Sequence, residues 1–196
     1  YENKIITEPK WKSWIIQTTT PLFTPDQCNQ IIASGRAQKP QEAQVGMNKP
    51  GGGTDTKKRV TTISWIPFQE MGHMYQDLNS FIQKANENHF GFGDIQVTEN
   101  AQFTEYPEGG FYDWHMDCDV NMEHEPPVRK ISMTLLLNDP SEFEGGDLEL
   151  MAPGKFANLK QGHAICFASF LNHRVNPVTK GMRQSLVVWF GGKAFR

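Results

Sequence analysis

Two histidines, one aspartate and one arginine carry the chemistry that this chain offers. The stretch Tyr112-Asp113-Trp114-His115-Met116-Asp117 sets an imidazole and a carboxylate two positions apart. On an extended strand, side chains at i and i+2 leave the same face, so His115 and Asp117 would point into one pocket. A second imidazole follows in Leu171-Asn172-His173-Arg174-Val175, and a guanidinium in Gly181-Met182-Arg183-Gln184-Ser185. Two imidazoles and a carboxylate on one side of an octahedron leave three positions open, which is the ligation of a non-haem iron(II) oxygenase. Thiolates would favour zinc or iron–sulfur clusters instead. The reading is that His115, Asp117 and His173 hold one iron(II), while Arg183 holds the far end of an acidic co-substrate. Each piece alone is a weak signal; their combination is stronger.

Residues 175–181 read as a strand end and a turn. A hairpin there would lay the strand of Arg183 alongside that of His173. Arg183 and Ser185 would share a strand face, and a guanidinium beside a hydroxyl makes a good carboxylate receptor. The plainer alternative is an ion pair on the sheet surface. However, the strand continues as Leu186-Val187-Val188-Trp189-Phe190. A buried arginine needs an anionic partner, and a bound dicarboxylate would supply one.

Other elements must position these groups. A chain of 196 residues fits one domain with a real core. Its scattered Lys and Arg and a formal charge of -3 leave no clear nucleic-acid signature. There is no apolar run long enough to span a membrane. The polar start Tyr1-Glu2-Asn3-Lys4 shows no signal-peptide pattern. Cys28, Cys118 and Cys166 are odd in number and show no CxxC spacing, which favours a reducing compartment. Cys118 is read as packing rather than as a ligand.

Trp11 to Thr20 reads as a strand. Thr24-Pro25 starts a helix that Gly35 would end. Residues 36–57 are loop-like around Gly51-Gly52-Gly53, either solvated or a lid over the site. Arg59 to Ile66 reads as a strand. A long helix from about Phe68 to Asn88 would bury Met71, Met74, Tyr75, Leu78, Phe81 and Ile82. His73 and His89 are read as ordinary surface or packing histidines. From residue 95 onward, about seven short apolar or alternating runs are separated by turn residues. The expected fold class is therefore α+β and mainly β, a sandwich or barrel core with N-terminal supporting helices. Residues 1–94 would form the support and 95–196 the core.

Six further pieces occur in order: Tyr106 with Tyr112; Arg129-Lys130-Ile131-Ser132; Leu136-Leu137-Asn138-Asp139-Pro140; Phe143-Glu144-Gly145-Gly146-Asp147-Leu148; Phe167 to Val175; and Pro177 to Leu186. With them, the chain resembles the iron(II)- and 2-oxoglutarate-dependent dioxygenases of the prolyl 4-hydroxylase-like group, close to the PKHD-type hydroxylases. The resemblance runs from about Tyr106 to Gly192. It implies a double-stranded β-helix, a jelly-roll and cupin relative, with iron held by His115, Asp117 and His173. It implies that 2-oxoglutarate is anchored by Arg183 with help from Tyr106 and Ser185, and that Trp189 lines the co-substrate pocket. Tyr112 and Arg129 match positions on the substrate side. Many relatives carry Lys where this chain has Arg183; the PKHD branch carries Arg.

The implied reaction couples decarboxylation of 2-oxoglutarate to succinate and carbon dioxide with hydroxylation of a C–H bond, most simply on a proline-containing peptide or protein. Molecular oxygen is the other partner, and ascorbate is implied as an accessory ligand. The expected location is the cytoplasm of a bacterium or of a virus-infected host cell. Residues 118–128 carry no readable motif, although Asp119, Glu123, His124 and Glu125 could face a substrate. Two rivals stand beside this reading: an oxygenase of a non-proline residue or small molecule, and a cupin-like protein that binds a metal or ligand without turnover.

Overall fold

The computed structural model describes residues 13–42, 59–118 and 127–193. The helices are α1 (Pro25–Ala37) and α2 (Gly72–Ala85). The strands in chain order are β1 (Ile15–Gln17), β2 (Gln41–Glu42), β3 (Arg59–Val60), β4 (Thr62–Ile66), β5 (Gln96–Val97), β6 (Ala101–Tyr106), β7 (Phe111–His115) and β8 (Val128–Leu136). They continue as β9 (Phe143–Gly145), β10 (Leu148–Leu150), β11 (Phe156–Ala157), β12 (Ala164–Ala168), β13 (His173–Val175), β14 (Val178–Gly181) and β15 (Arg183–Gly192).

Helix α1 starts as its sequence dictates. The Thr24 hydroxyl accepts from the Gln27 N–H, and the Gln27 side chain accepts from the Thr24 N–H, while Pro25 pre-sets the first turn. It does not stop at Gly35, as a glycine cap would predict, but runs on to Ala37. Gly35 has a packing role: a Cβ there would lie 2.3 Å from the Phe103 ring. Helix α2 is shorter than its apolar stripe suggests. Residues 67–71 form a turn before it, and a single π-helical turn, Asn86–Phe90, follows it. Its stripe buries Met74, Tyr75, Leu78 and Ile82 as expected, and His73 and His89 are exposed.

Two antiparallel sheets face each other. The larger has the order β1-β12-β8-β15-β6-β4-β2, with β5 also paired to β15; the smaller runs β11-β10-β13-β7-β3. Strands β14 and β9 form a separate ribbon. Strict alternation sorts the larger sheet's side chains. Ile131, Met133 and Leu135 of β8 and Leu186, Val188 and Phe190 of β15 share one core cluster with the buried faces of α1 and α2. Leu136, Ile165 and Phe167 point the other way, onto Leu148, Leu150 and Val175 of the smaller sheet. The mainly β, helix-buttressed architecture expected from the sequence is therefore present, and the site lies between the sheets.

Several runs divide where the chain changes sheets. Arg59 to Ile66 is two strands: β3 pairs with β7 in the smaller sheet and β4 with β6 in the larger. Within Trp11 to Thr20, only Ile15–Gln17 among the described residues is a strand. Most of the supposed lid, residues 43–57, lies outside the described residues, as do residues 119–126 of the second loop.

Gly35→Ala forces a methyl into the Phe103 ring and should cost about 1–3 kcal/mol of stability, as overpacking does. Urea unfolding reads the change; an unaltered midpoint would mean that α1 shifts without penalty.

Candidate metal and co-substrate site

Strands β7 and β13 are neighbours in the smaller sheet, and His115 and His173 are direct partners across them. The next matched pair is Tyr112 with Val175, so three steps along β7 oppose two along β13. That extra residue is a bulge, and bulges re-aim side chains. Alternation alone would send Tyr112 and His115 to opposite faces. With the bulge their rings stack, 3.5 Å apart and 13° from parallel. The two histidine rings lie 4.1 Å apart.

Asp117 reaches the pair by a different route from the one its spacing suggested. Strand β7 ends at His115, so the i, i+2 rule does not apply. Instead the Asp117 and Cys118 N–H groups both donate to the Ser169 carbonyl, at 3.0 and 2.9 Å. This tether holds the carboxylate between the imidazoles. Oδ1 lies 3.5 Å from His115 Nε2, and Oδ2 lies 3.6 Å from His173 Nε2. All three donor groups fall within 4.8 Å of one another. Their side chains are only 10%, 8% and 7% exposed for His115, Asp117 and His173. Cys118 is buried and is not in the cluster.

The ring tautomers suit a metal. Nδ1 of His115 faces the Asp113 carbonyl at 2.7 Å, and Nδ1 of His173 faces the Leu171 carbonyl at 3.1 Å. A carbonyl can only accept, so each Nδ1 carries the proton and each Nε2 turns a lone pair inward. Asp117 Oδ2 accepts from the Ser132 hydroxyl at 2.7 Å and from the Trp189 indole N–H at 3.0 Å. Ser132 in turn meets the Ser169 hydroxyl at 2.9 Å. Burial would raise the Asp117 carboxyl, but the His173 and His115 imidazoles and the Ser132 hydroxyl outweigh it and hold it well below the carboxylate range. Burial pushes His173 down to about 4, against the pull of Asp117, so its ring is neutral at pH 7. One ionised carboxylate and two pre-oriented imidazoles are the donor set that iron(II) needs.

Arg183 faces this cluster from the opposite layer. No hairpin joins it to His173: β14 intervenes and pairs with β9, β13 pairs with β7 and β10, and β15 lies in the larger sheet beside β8 and β6. Arg183, Ser185, Val187 and Trp189 line the cavity, as i, i+2 alternation along β15 requires. Arg183 is 3% exposed and has no ion-pair partner among the described residues. Its Nη1 donates to the Ser185 hydroxyl at 3.2 Å, and its guanidinium carbon is 5.6 Å from the Tyr106 ring centre. Burial lowers its pKa, opposed by Tyr106 and Asp147. Burial also raises the Tyr106 hydroxyl, which therefore remains a donor.

The other expected residues divide. Tyr112 and Trp189 line the cavity, but the Trp189 N–H is committed to Asp117. Arg129 is not in the cavity wall. It pairs with Glu99 and lies 3.7 Å over the Trp189 ring, so it meets the site through that indole. The sequence reading missed Ser132 and Ser169 as supports, and Arg59, Gln102 and Thr134 as cavity residues. Their contacts are long-range, and no local spacing announces them.

A sequence profile of the 2OG-Fe(II) oxygenase superfamily matches residues 101–191. A PKHD-type hydroxylase of Colwellia psychrerythraea is 30% identical over 174 residues, covering 86% of this chain and 74% of its own. Other PKHD-type hydroxylases match over shorter stretches, and the chain spans only 39% and 41% of two of them. Among solved structures, a Pseudomonas putida prolyl-4-hydroxylase superposes with a TM-score of 0.69 at 21% identity, covering 93% of this chain and 94% of that one. A Trichoplax adhaerens prolyl hydroxylase, in complex with a hypoxia inducible factor oxygen degradation domain peptide fragment, superposes with a TM-score of 0.66 at 19% identity over 91% and 84%. The fold is the double-stranded β-helix of these oxygenases.

Ser132→Ala and Trp189→Phe each remove one donor from Asp117 and should weaken metal binding by about 10–100-fold, as loss of an outer-shell partner does. Anaerobic titration with iron(II) or cobalt(II) measures this; unchanged affinity would show that the carboxylate does not need them. Acidity supplies a second check. Between its ordinary 6.5 and about 4, His173 binds a proton in the unfolded chain but not in the fold. The metal-free protein should therefore lose stability as pH falls through that window. His173→Gln should flatten the slope there in urea unfolding at stepped pH.

Proposed function

Since the chain belongs to the 2OG-Fe(II) oxygenase superfamily, we propose that it is an iron(II)- and 2-oxoglutarate-dependent dioxygenase acting on peptidyl proline. The observation that carries this reading is the pairing of two features across one cavity. A His-Asp-His cluster stands on one side, and on the other a buried arginine with no carboxylate at ion-pair distance among the described residues. A cupin-like protein that only binds a metal has no need for that arginine. The prolyl hydroxylases among the structural relatives, one of them with a bound peptide, support a peptide substrate.

When bound, iron would supply the redox chemistry that couples decarboxylation of 2-oxoglutarate to succinate with transfer of one oxygen atom to a C–H bond. The chain's own part is to bind, orient and exclude. His115, Asp117 and His173 would take one side of the metal and leave the other for co-substrate and oxygen. Arg183 would receive the distal carboxylate in its planar fork, with the Ser185 and Tyr106 hydroxyls as further donors. Leu148, Val175 and Val187 supply the apolar wall that keeps water from the reacting centre. Ser132 and Trp189 would keep Asp117 ionised and aimed, and Tyr112 would hold the His115 ring from behind.

Succinate release from 2-oxoglutarate, with iron(II) and oxygen present, tests the reading directly. His115→Ala or Asp117→Ala should abolish it while circular dichroism shows an intact fold; full turnover in either would remove that residue from the metal site. Arg183→Ala should raise the 2-oxoglutarate requirement by about thirtyfold or more, since truncating a buried charged partner costs roughly 2 kcal/mol or more. A proline-rich peptide panel analysed by mass spectrometry for the gain of one oxygen atom tests the substrate class.

A further inference from the structure

A second arginine looks into the same cavity. Arg59 stands on β3, the edge strand of the smaller sheet, directly opposite Tyr112 of β7. It is 7% exposed, and its guanidinium carbon lies 4.3 Å over the Tyr112 ring. Arg59, Tyr112 and His115 thus form one column, with the Tyr112 ring between the guanidinium and the imidazole. Stacking occupies the face of a guanidinium and leaves its N–H donors pointing outward in the plane. The Nε of Arg59 is buried with no hydrogen-bond partner, and no carboxylate lies within ion-pair distance of the side chain among the described residues. It lines the cavity together with Tyr106 and Tyr112.

A buried cation without an anion is costly, so a partner is needed. Asp117 is the one carboxylate in the cavity wall among the described residues. On the dioxygenase reading, its charge is already used. Asp117 would face iron(II), while Asp147 and the distal carboxylate of 2-oxoglutarate act on Arg183 rather than on Arg59. Arg129, the other arginine near the metal cluster, is neutralised by Glu99. Arg59 is the charge left over. It also sits on an edge strand, whereas Arg183 lies on an inner strand of the larger sheet, so the two arginines face the cavity from different layers.

We propose that Arg59 receives a carboxylate of the substrate that is hydroxylated, making that substrate an anion close to its target C–H bond. This rests on the dioxygenase reading and deepens it. The carboxylate has two possible sources: an acidic side chain next to the target residue in a peptide, or the free carboxylate of the target residue itself. A neutral peptide would offer Arg59 only carbonyl oxygens and leave its charge uncompensated.

The test uses calorimetry on the full chain loaded with zinc(II), a redox-inert stand-in, and saturated with 2-oxoglutarate. Acetyl-Glu-Pro-amide is compared with acetyl-Gln-Pro-amide, and N-acetylproline with N-acetylprolinamide; N-acetylglycine serves as a proline-free acid. An acid should bind about tenfold or more tightly than its neutral twin, as one charge-assisted contact allows. The pair that shows the preference names the source of the carboxylate. Arg59→Gln should erase the preference and leave 2-oxoglutarate affinity within about twofold. Arg59→Lys, which keeps the charge, should restore part of it. Acids binding no better than amides, or no probe binding at all, overturns the proposal. So does an Arg59→Gln variant that weakens 2-oxoglutarate as much as Arg183→Gln, because that assigns Arg59 to the co-substrate. Failure of the wild-type chain to bind 2-oxoglutarate would sink the dioxygenase reading instead; the acid preference is then read without co-substrate, and its persistence or loss decides the Arg59 proposal alone.

Discussion

The Asp117 carboxylate sits in a gap between two sheets, away from bulk water, and must remain charged there. A bare carboxylate in such a place would take up a proton. Here the Ser132 hydroxyl and the Trp189 indole both donate to one of its oxygens, and two imidazoles flank it. Its backbone is fastened to Ser169. Every one of these supports comes from a different strand or turn. The site can exist only when β7, β8, β13, β15 and the turn after β12 are all in register.

The two sheets divide the work. The smaller sheet presents the imidazoles on its inner face and is stitched together on the other. Glu149 of β10 is the register partner of Arg174 of β13, and the two form an ion pair at 2.6 Å. Arg174 also lies 5.0 Å over the Trp114 ring of β7, and Asn176 adds a hydrogen bond to Glu149. This network binds the strands that carry His115 and His173 without touching either histidine. The larger sheet presents the arginine and its hydroxyl partners, and its outer face is sealed by α1 and α2. That seal lets polar residues occupy the inner face, because the apolar burial that holds the sheet together is collected on the outer one.

Much of this was legible. The β15 alternation placed Arg183 and Ser185 on one face because period-two geometry holds along any strand. The α2 stripe was readable for the same kind of reason, and the Thr24-Pro25 start of α1 followed from local capping chemistry. Boundaries fared worse where the chain changes sheets. Arg59 to Ile66 contains no turn residue, yet it leaves the smaller sheet at Thr61 and joins the larger at Thr62. Gly35 looked like a helix cap, because a glycine needed for close packing and one needed for backbone freedom are the same letter.

By itself the sequence determined which donor atoms are available: two imidazoles, a carboxylate and an arginine, embedded in strands of apolar neighbours. Only the tertiary structure decided how they meet. It placed a bulge in β7 that turns Tyr112 onto His115, and it put Asp117 beyond the strand end rather than on it. It set Arg183 across from His173 instead of beside it, and it brought Arg59 into the same cavity. The physical reason is that these outcomes rest on strand pairings and on contacts such as Ser132 and Trp189 to Asp117, 15 and 72 positions apart. No local periodicity encodes a pairing of that range; it is settled by which arrangement buries the apolar faces of both sheets.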